Sequence, residues 1–293
     1  MTPKDAELRG PGTDRAFGAG PGSGTPLLAR RDHGEVSQFL PENLLREARR
    51  QKGLPAGRVP PVCLLDPDGD VVAHLRASGA ATRSRSWACY HTDLWEHDVD
   101  GYRLGIVDRA VGASFAVLVA EQLFVSGCRL LVSLASAGQI TPSGPTPYFI
   151  LIERALRDEG TSYHYLPPAR FAAAPPGLLQ LAGRALTEGG EPVYRGASWT
   201  TDAPFRETAS AIAARRADGV LAVEMEAAAL YAFAAARGRE VLCLAHVTNQ
   251  LGRVERDFEK GEHNGAAAAL RVVGAVARAW LAQVGAGAEG HAD

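Results

Sequence analysis

Along most of the chain, short unbroken apolar runs alternate with longer stretches in which apolar residues return every three or four positions. The short runs predict buried strands at 62–65, 102–107, 130–134, 149–152, 193–200, 220–223 and 241–247. The longer stretches predict helices at 41–51, 114–126, 178–188, 205–218, 224–237 and 266–283. Punctuation agrees with these limits: Pro41 suits a first helical turn, and Gly53, Gly127 and Gly238 suit helix stops. Strand and helix in alternation are the mark of an α/β sheet covered on both faces. In such folds ligands gather at the carboxyl ends of strands, which directs attention to the residues just beyond each apolar run.

Composition narrows the class. With 46% hydrophobic residues over 293 positions, the chain can bury one large core or two small ones. A single domain is expected over 33–284, after a leader at 1–32 too poor in apolar residues to offset its ordering entropy and before a frayed tail at 285–293. The formal net charge is −2 and basic residues are scattered rather than striped with aromatics, which argues against a nucleic-acid partner. Cys63, Cys89, Cys128 and Cys243 lie far apart without a Cys-x-x-Cys pair, mostly inside apolar runs, as the buried reduced thiols of a cytoplasmic protein do. The N-terminus has no apolar centre of a signal peptide, and no run approaches the roughly 20 apolar residues that span a bilayer. A soluble cytoplasmic protein with no membrane partner is expected.

Several constellations carry candidate chemistry. Glu224 and Glu226 follow the run 220–223 and open an alanine-rich helix, while Asn249 closes the next strand. Two carboxylates and an amide so placed suit a ribose and its leaving base, although the helix dipole alone favours acids in a first turn. Ala135-Ser136-Ala137-Gly138 follows the run 130–134; its small residues let backbone N–H groups and the Ser136 hydroxyl approach an anion or sugar oxygen, and a tight turn would want the same residues. Asp66-Pro67-Asp68-Gly69-Asp70 sets three carboxylates after the first strand. That segment reads as turn chemistry, as an incomplete divalent-cation loop, or as the seat of a water-activating base. Asp202 reads as the cap of the helix that follows, with Phe205 and Arg206 as candidates to line a slot for a base. Tyr90 and His91 stand in a polar, aromatic stretch, and His246, inside an apolar run, reads as a core residue.

From Pro61 to Gln283 the chain carries, in one order, Leu65-Asp66-Pro67, Val111-Gly112-Ala113, Ala135-Ser136-Ala137-Gly138, Thr201-Asp202-Ala203-Pro204-Phe205, Glu224-Met225-Glu226-Ala227-Ala228 and Val247-Thr248-Asn249. In these pieces it resembles the nucleoside phosphorylase family, which includes purine nucleoside phosphorylases, uridine phosphorylases and methylthioadenosine-type nucleosidases. The resemblance implies a mixed, twisted central sheet flanked by helices and cleavage of the N-glycosidic bond of a nucleoside. Breaking that bond leaves positive charge on the ribose and negative charge on the base, and both need stabilising. By resemblance, Glu226 accepts from the ribose 2′ and 3′ hydroxyls, Met225 packs on the sugar, Glu224 assists, and Asn249 meets the leaving base. A small-molecule nucleoside is the implied partner, with no metal or organic cofactor and with phosphate as a possible co-substrate. Family members are homo-oligomers that borrow site residues from a neighbour, and Tyr90 and His91 are the candidates for such a contact.

The chain departs from the family where its phosphorylases bind phosphate. The family's glycine before Asp-Pro and its arginine two residues after are here Leu65 and Gly69, and a second arginine, ahead of the Ser-containing turn, is here Ser133. Losing two guanidinium groups removes charge-assisted hydrogen bonds that neutral side chains do not replace. Either Arg109, Arg83 or Arg85 fills in, or the acceptor is water activated by Asp68 or Asp70. Family frequency sets phosphorolysis first, with a hydrolytic nucleosidase as the alternative and a non-catalytic nucleoside-binding or storage protein as the alternative of another class. A nucleotide-dependent oxidoreductase has no support, because no strand leads into a Gly-x-Gly-x-x-Gly turn.

Overall fold

The computed structural model describes residues 26–28, 31–252, 255 and 257–289. Helix α1 (Pro41–Lys52) leads into β1 (Val62–Asp66), α2 (Asp70–Ala77), the short β2 (Thr82–Arg83), β3 (Trp95–Val99) and β4 (Tyr102–Asp108). Then come α3 (Ala113–Val125), β5 (Leu130–Gln139), β6 (Tyr148–Asp158), α4 (Ser162–Tyr165), β7 (Phe171–Ala173), α5 (Pro176–Glu188) and β8 (Val193–Thr201). The chain finishes with α6 (Ala209–Ala217), β9 (Val220–Glu224), α7 (Ala227–Arg237), β10 (Glu240–Asn249) and α8 (Ala266–Glu289).

The strands form one mixed sheet in the order β10-β6-β8-β9-β5-β1-β4-β3-β2, with β7 beside β6. A further pairing of β10 with β5 closes β10, β6, β8, β9 and β5 into a ring, and the remaining strands extend from it. Alternate residues of β5 face opposite layers. Leu130 and Val132 pack with Val272, Val273, Val276 and Trp280 of α8, whereas Leu131 and Ala137 pack with α3 and α7 through Ala116, Ala120, Leu230 and Phe233. This two-faced burial is what near-continuous apolar strand runs require. It confirms the expected α/β architecture with helices on both faces.

Several boundaries differ from expectation. The segment 135–138, expected beyond a strand end, is part of β5, because β10 pairs alongside it to Gly138 and β9 takes over at Gly138 and Gln139. Helix α7 begins at Ala227 rather than 224, and α6 at Ala209 rather than 205, where Thr208 caps it by accepting from Ala211 N at 3.3 Å. Asp202 instead accepts from Gly160 N at 2.9 Å. Helix α8 runs through Gly285 to Glu289, into the segment expected to fray, and most of the expected leader lies outside the described residues. Contrary to the sequence expectation, α8 with the turn before it is long and apolar enough to cross a bilayer. Here half of that stretch is buried, and Val273 and Trp280 are sealed against the sheet as in a core helix. All four cysteines are buried and free.

Candidate active site

Parallel pairing makes β1, β4 and β5 end on one side of the sheet. The turn after β1, the loop that carries Arg109 to Gly112 and the upper half of β5 therefore share one rim. Strand β9 meets β5 antiparallel at Gly138 and Gln139, and so delivers Glu224, Met225 and Glu226 over the same rim.

Glu224 is buried and fully committed. Its Oε1 accepts from the Ser198 hydroxyl at 2.9 Å and the Thr200 hydroxyl at 2.5 Å, and its Oε2 from Glu226 N at 2.8 Å and Ala227 N at 2.7 Å. Four donors leave no lone pair for a sugar. Its expected help in substrate binding is thus corrected to a positioning role: it ties β8 to the first turn of α7. Burial raises its pKa, opposed by the Thr200 and backbone donors.

Glu226 stands just ahead of α7 and reaches across to α3. Its Oε1 accepts from Gly112 N at 2.6 Å, the residue that opens α3 with φ +89°; Met225, partly buried, donates its N–H to Oε2 at 3.3 Å. Burial, reinforced by the Glu224 charge and then by Asp68, pushes the Glu226 pKa up to about 8. Neighbouring buried carboxylates share charge in this way, because ionising both costs more than ionising one. With four donors, Glu224 is the natural seat of that charge.

The first-strand turn is held by Asp66, which accepts from Gly69 N at 3.2 Å and Val72 N at 3.0 Å; burial pushes its pKa to about 7. Asp68 projects beyond it. Its Oδ2 accepts from Ser136 N at 3.2 Å, from the Ser136 hydroxyl, and from Lys260 Nζ at 3.0 Å. Lys260 also reaches Asp70 Oδ2 at 2.5 Å, and Asn264 donates to Asp70 Oδ1 at 3.2 Å. Burial works against the Lys260 charge, but the two carboxylates outweigh it and hold the ammonium above its usual pKa. His246 lies across from Ser136 in the β10–β5 register. It is buried, stacked on Phe149 at 4.5 Å, and pushed to about 4 by burial, which agrees with a core reading.

Other expected contacts fall differently. Asn249 spends its amide on the neighbouring strand and its own turn, donating to Ala137 O of β5 and to Thr248 Oγ1 at 3.3 Å each and accepting from Leu251 N at 3.0 Å. Among the described residues it shares no hydrogen-bond partner with Glu226. Gly138 is needed for packing: an added Cβ would collide with Leu251 Cδ2 and lie 3.3 Å from Asn249 Oδ1. Phe205 is fully exposed and Arg206 exposed on a single 3-10 turn, so the expected base slot is not built within one chain.

Of the candidate arginines, Arg83 on β2 pairs with Asp93 at 2.5 Å, and β1, β4 and β3 separate it from the β5 strand of Ser136. Arg109 is the guanidinium beside the turn: a Cβ at Gly69 would lie 3.2 Å from its Nε. Arg109 pairs with Asp108 at 3.7 Å and is largely exposed. Tyr90 donates to Gln51 Oε1 at 2.8 Å, and the exposed His91 sets its ring 6.3 Å from Phe115, one turn into the helix that Glu226 grips.

Carboxylates thus meet backbone N–H groups at a rim over the ends of parallel strands. The Phosphorylase superfamily model matches residues 61–279. The chain belongs to this superfamily. Two similar proteins are purine nucleoside phosphorylases of the DeoD type. The one from Bacillus cereus is 31% identical over 153 residues, 52% of this chain and 65% of the relative. The one from Streptococcus uberis is 26% identical over 164 residues, 55% of this chain and 69% of the relative. The match thus spans just under two thirds of the first relative's length. In three dimensions the chain is similar to a uridine phosphorylase from Vibrio fischeri ES114, with a TM-score of 0.63 and 21% identity, over 75% of this chain and 93% of the other; at that identity the likeness speaks for the fold. Within the superfamily frame, Lys260, Ser198, Thr200 and Gly112 are site-building residues whose roles the sequence did not disclose. Ser198 and Thr200 left one signal, as polar residues at alternate positions of a buried strand. Lys260 left none, lying in an aperiodic polar segment 192 positions from Asp68.

Proposed function

We propose that this member of the superfamily cleaves the N-glycosidic bond of a nucleoside, releasing a free base. The observation that carries the reading is Glu226, a carboxyl group sealed from water, gripped by the backbone N–H groups of Gly112 and Met225 and poised over the strand ends where the superfamily's sheet gathers its ligand. A sugar that develops positive charge at C1′ favours ionisation of such a group, so its attraction grows toward the transition state. Ribose hydroxyls donating to Glu226, with Met225 against the sugar, complete the reading.

Phosphorolysis is the form suggested by the names of the similar proteins, with phosphate as co-substrate. Hydrolysis is the second form, favoured by the carboxylate of Asp68 on both Ser136 donors. We further propose a cytoplasmic homo-oligomer without metal or organic cofactor, in which a neighbour covers Phe205 and the Tyr90–His91 loop. The test is a nucleoside panel assayed for base release by the wild type and by Glu226→Gln. Release by the wild type that collapses in the variant supports the reading. Absence of release from every nucleoside, or an undiminished variant, refutes it.

A further inference from the structure

We propose that Lys260 sets the acceptor of the reaction: it pins Asp68 onto the anion-binding donors of Ser136, so that an internal carboxylate holds the place of an inorganic anion and water attacks the sugar. The inference rests on the reading of this rim as a nucleoside-cleaving centre, and it adds a determinant of acceptor choice contributed by the segment between β10 and α8.

The first support is competition for donors. Ser136 offers one N–H and one hydroxyl toward the rim, and both go to Asp68 Oδ2. A phosphate oxygen would need those same donors. The second is the cation. Lys260 lies 3.0 Å from Asp68 and 2.5 Å from Asp70, with its side chain only 24% exposed. An incoming anion would have to draw that ammonium from two carboxylates that already satisfy it. The third is the local field. Asp108 Oδ2 comes within 3.7 Å of a Cβ built at Gly69, Asp70 lies on the other side of Lys260, and Glu226 stands near enough for its pKa to sense Asp68. Arg109, the guanidinium beside the turn, is paired with Asp108 and hydrogen-bonds neither Ser136 nor Asp68. Among the described residues, a phosphate dianion entering this neighbourhood meets more carboxylates than cations, whereas neutral water meets no such repulsion.

Asp68 Oδ1 makes no hydrogen bond to the described residues, which leaves it open to a water molecule. In the step, the water oxygen bonds to C1′ as the C1′–N bond breaks, and the electron pair of that bond leaves with the base. One water proton ends on the base nitrogen and the other stays in the new sugar hydroxyl, so the products are free sugar and free base.

The experiment titrates inorganic phosphate calorimetrically into the wild type, Asp68→Ala and the double variant Asp68→Ala/Lys260→Met, with base release measured in parallel with and without phosphate. The wild type is expected to show no saturable phosphate binding and a rate indifferent to phosphate. Asp68→Ala frees the Ser136 donors beside an ammonium that keeps only Asp70 as its carboxylate partner. It should bind phosphate at least about tenfold more tightly than the wild type, the scale of one charge-assisted contact, and the double variant should lose that gain. Circular dichroism checks folding, and Asp68→Ser replaces Asp68→Ala if the latter does not fold. Saturable phosphate binding by the wild type, base release that requires phosphate, or no gain in the folded Asp68 variant would overturn the proposal. A wild type that ignores phosphate and an Asp68→Ala protein that binds it, together with no base release from any nucleoside, would sink the nucleoside reading while leaving Lys260 as the residue that closes the anion turn.

Discussion

Two acidic corners share this rim, and they keep their charges in opposite ways. At the α7 corner, Glu224 and Glu226 are sealed from water and satisfied by hydroxyls and backbone N–H groups, with no cation among their partners in the described residues. Burial therefore raises both pKa values. At the β1 corner, Asp68 and Asp70 are less buried and share the Lys260 ammonium. Neutral donors around a buried carboxylate make a group that gains or loses a proton near neutrality and responds strongly to a nearby positive charge. A carboxylate paired with a cation occupies space that another anion would want. The first corner is suited to a developing sugar cation, the second to excluding or replacing an anionic acceptor.

The comparison breaks first at Glu226. Glu226→Gln keeps the shape and removes the ability to ionise as positive charge develops on the sugar, so kcat should fall by about two to three orders of magnitude, the usual effect of deleting one preorganised electrostatic group. Glu224→Ala should act on the fold instead. It strands buried hydroxyl and N–H donors and should cost at least about 3 kcal/mol in denaturant unfolding, since each orphaned buried donor costs roughly 1–3 kcal/mol.

The raised pKa values give a pH signature. Folded Glu226 binds its proton more tightly than an unfolded glutamate, so the stability it contributes is full below its ordinary value of 4.5 and is lost as pH rises through about 8. Asp66, raised from 3.8 to about 7, acts in the same direction. The melting temperature should therefore fall across that window, and Glu226→Gln should flatten the slope. A slope unchanged in the variant would show that Glu226 does not titrate there.

At the other corner, Lys260→Met should cost a smaller amount, about 1–3 kcal/mol, because partial exposure lets water compensate the two released carboxylates. The smallest effect is expected at Asn249. Asn249→Ala loses the staple of its turn, about 1 kcal/mol, with kcat little changed; a collapse of kcat at unchanged stability would return the amide to the base-binding role that the sequence suggested.

The layered α/β fold was legible because buried strands and alanine-rich helices write their period directly into the chain, as in 220–237. Its errors fall where tertiary pairing overrides local pattern. Small residues at 135–138 look like a turn in isolation, yet β10 and β9 hold them in a strand. In the site, the Glu-Met-Glu element revealed the right place but not the division of labour. Which glutamate is spent on structure depends on Ser198 and Thr200 from another strand. Lys260 was invisible for the same reason: its partners lie about 190 positions away, and no local period marks it.

The most direct measurement is a crystal structure of the protein, or of its Glu226→Gln variant to slow turnover, with a nucleoside bound. The ribose 2′ and 3′ hydroxyls should lie within hydrogen-bonding reach of the residue 226 side chain, with Met225 against the sugar. A nucleoside seated elsewhere, for instance in the groove of about 600 Å³ between α1 and α3 lined by Leu40, Leu44 and Val117, or a sugar that leaves residue 226 untouched, would contradict it.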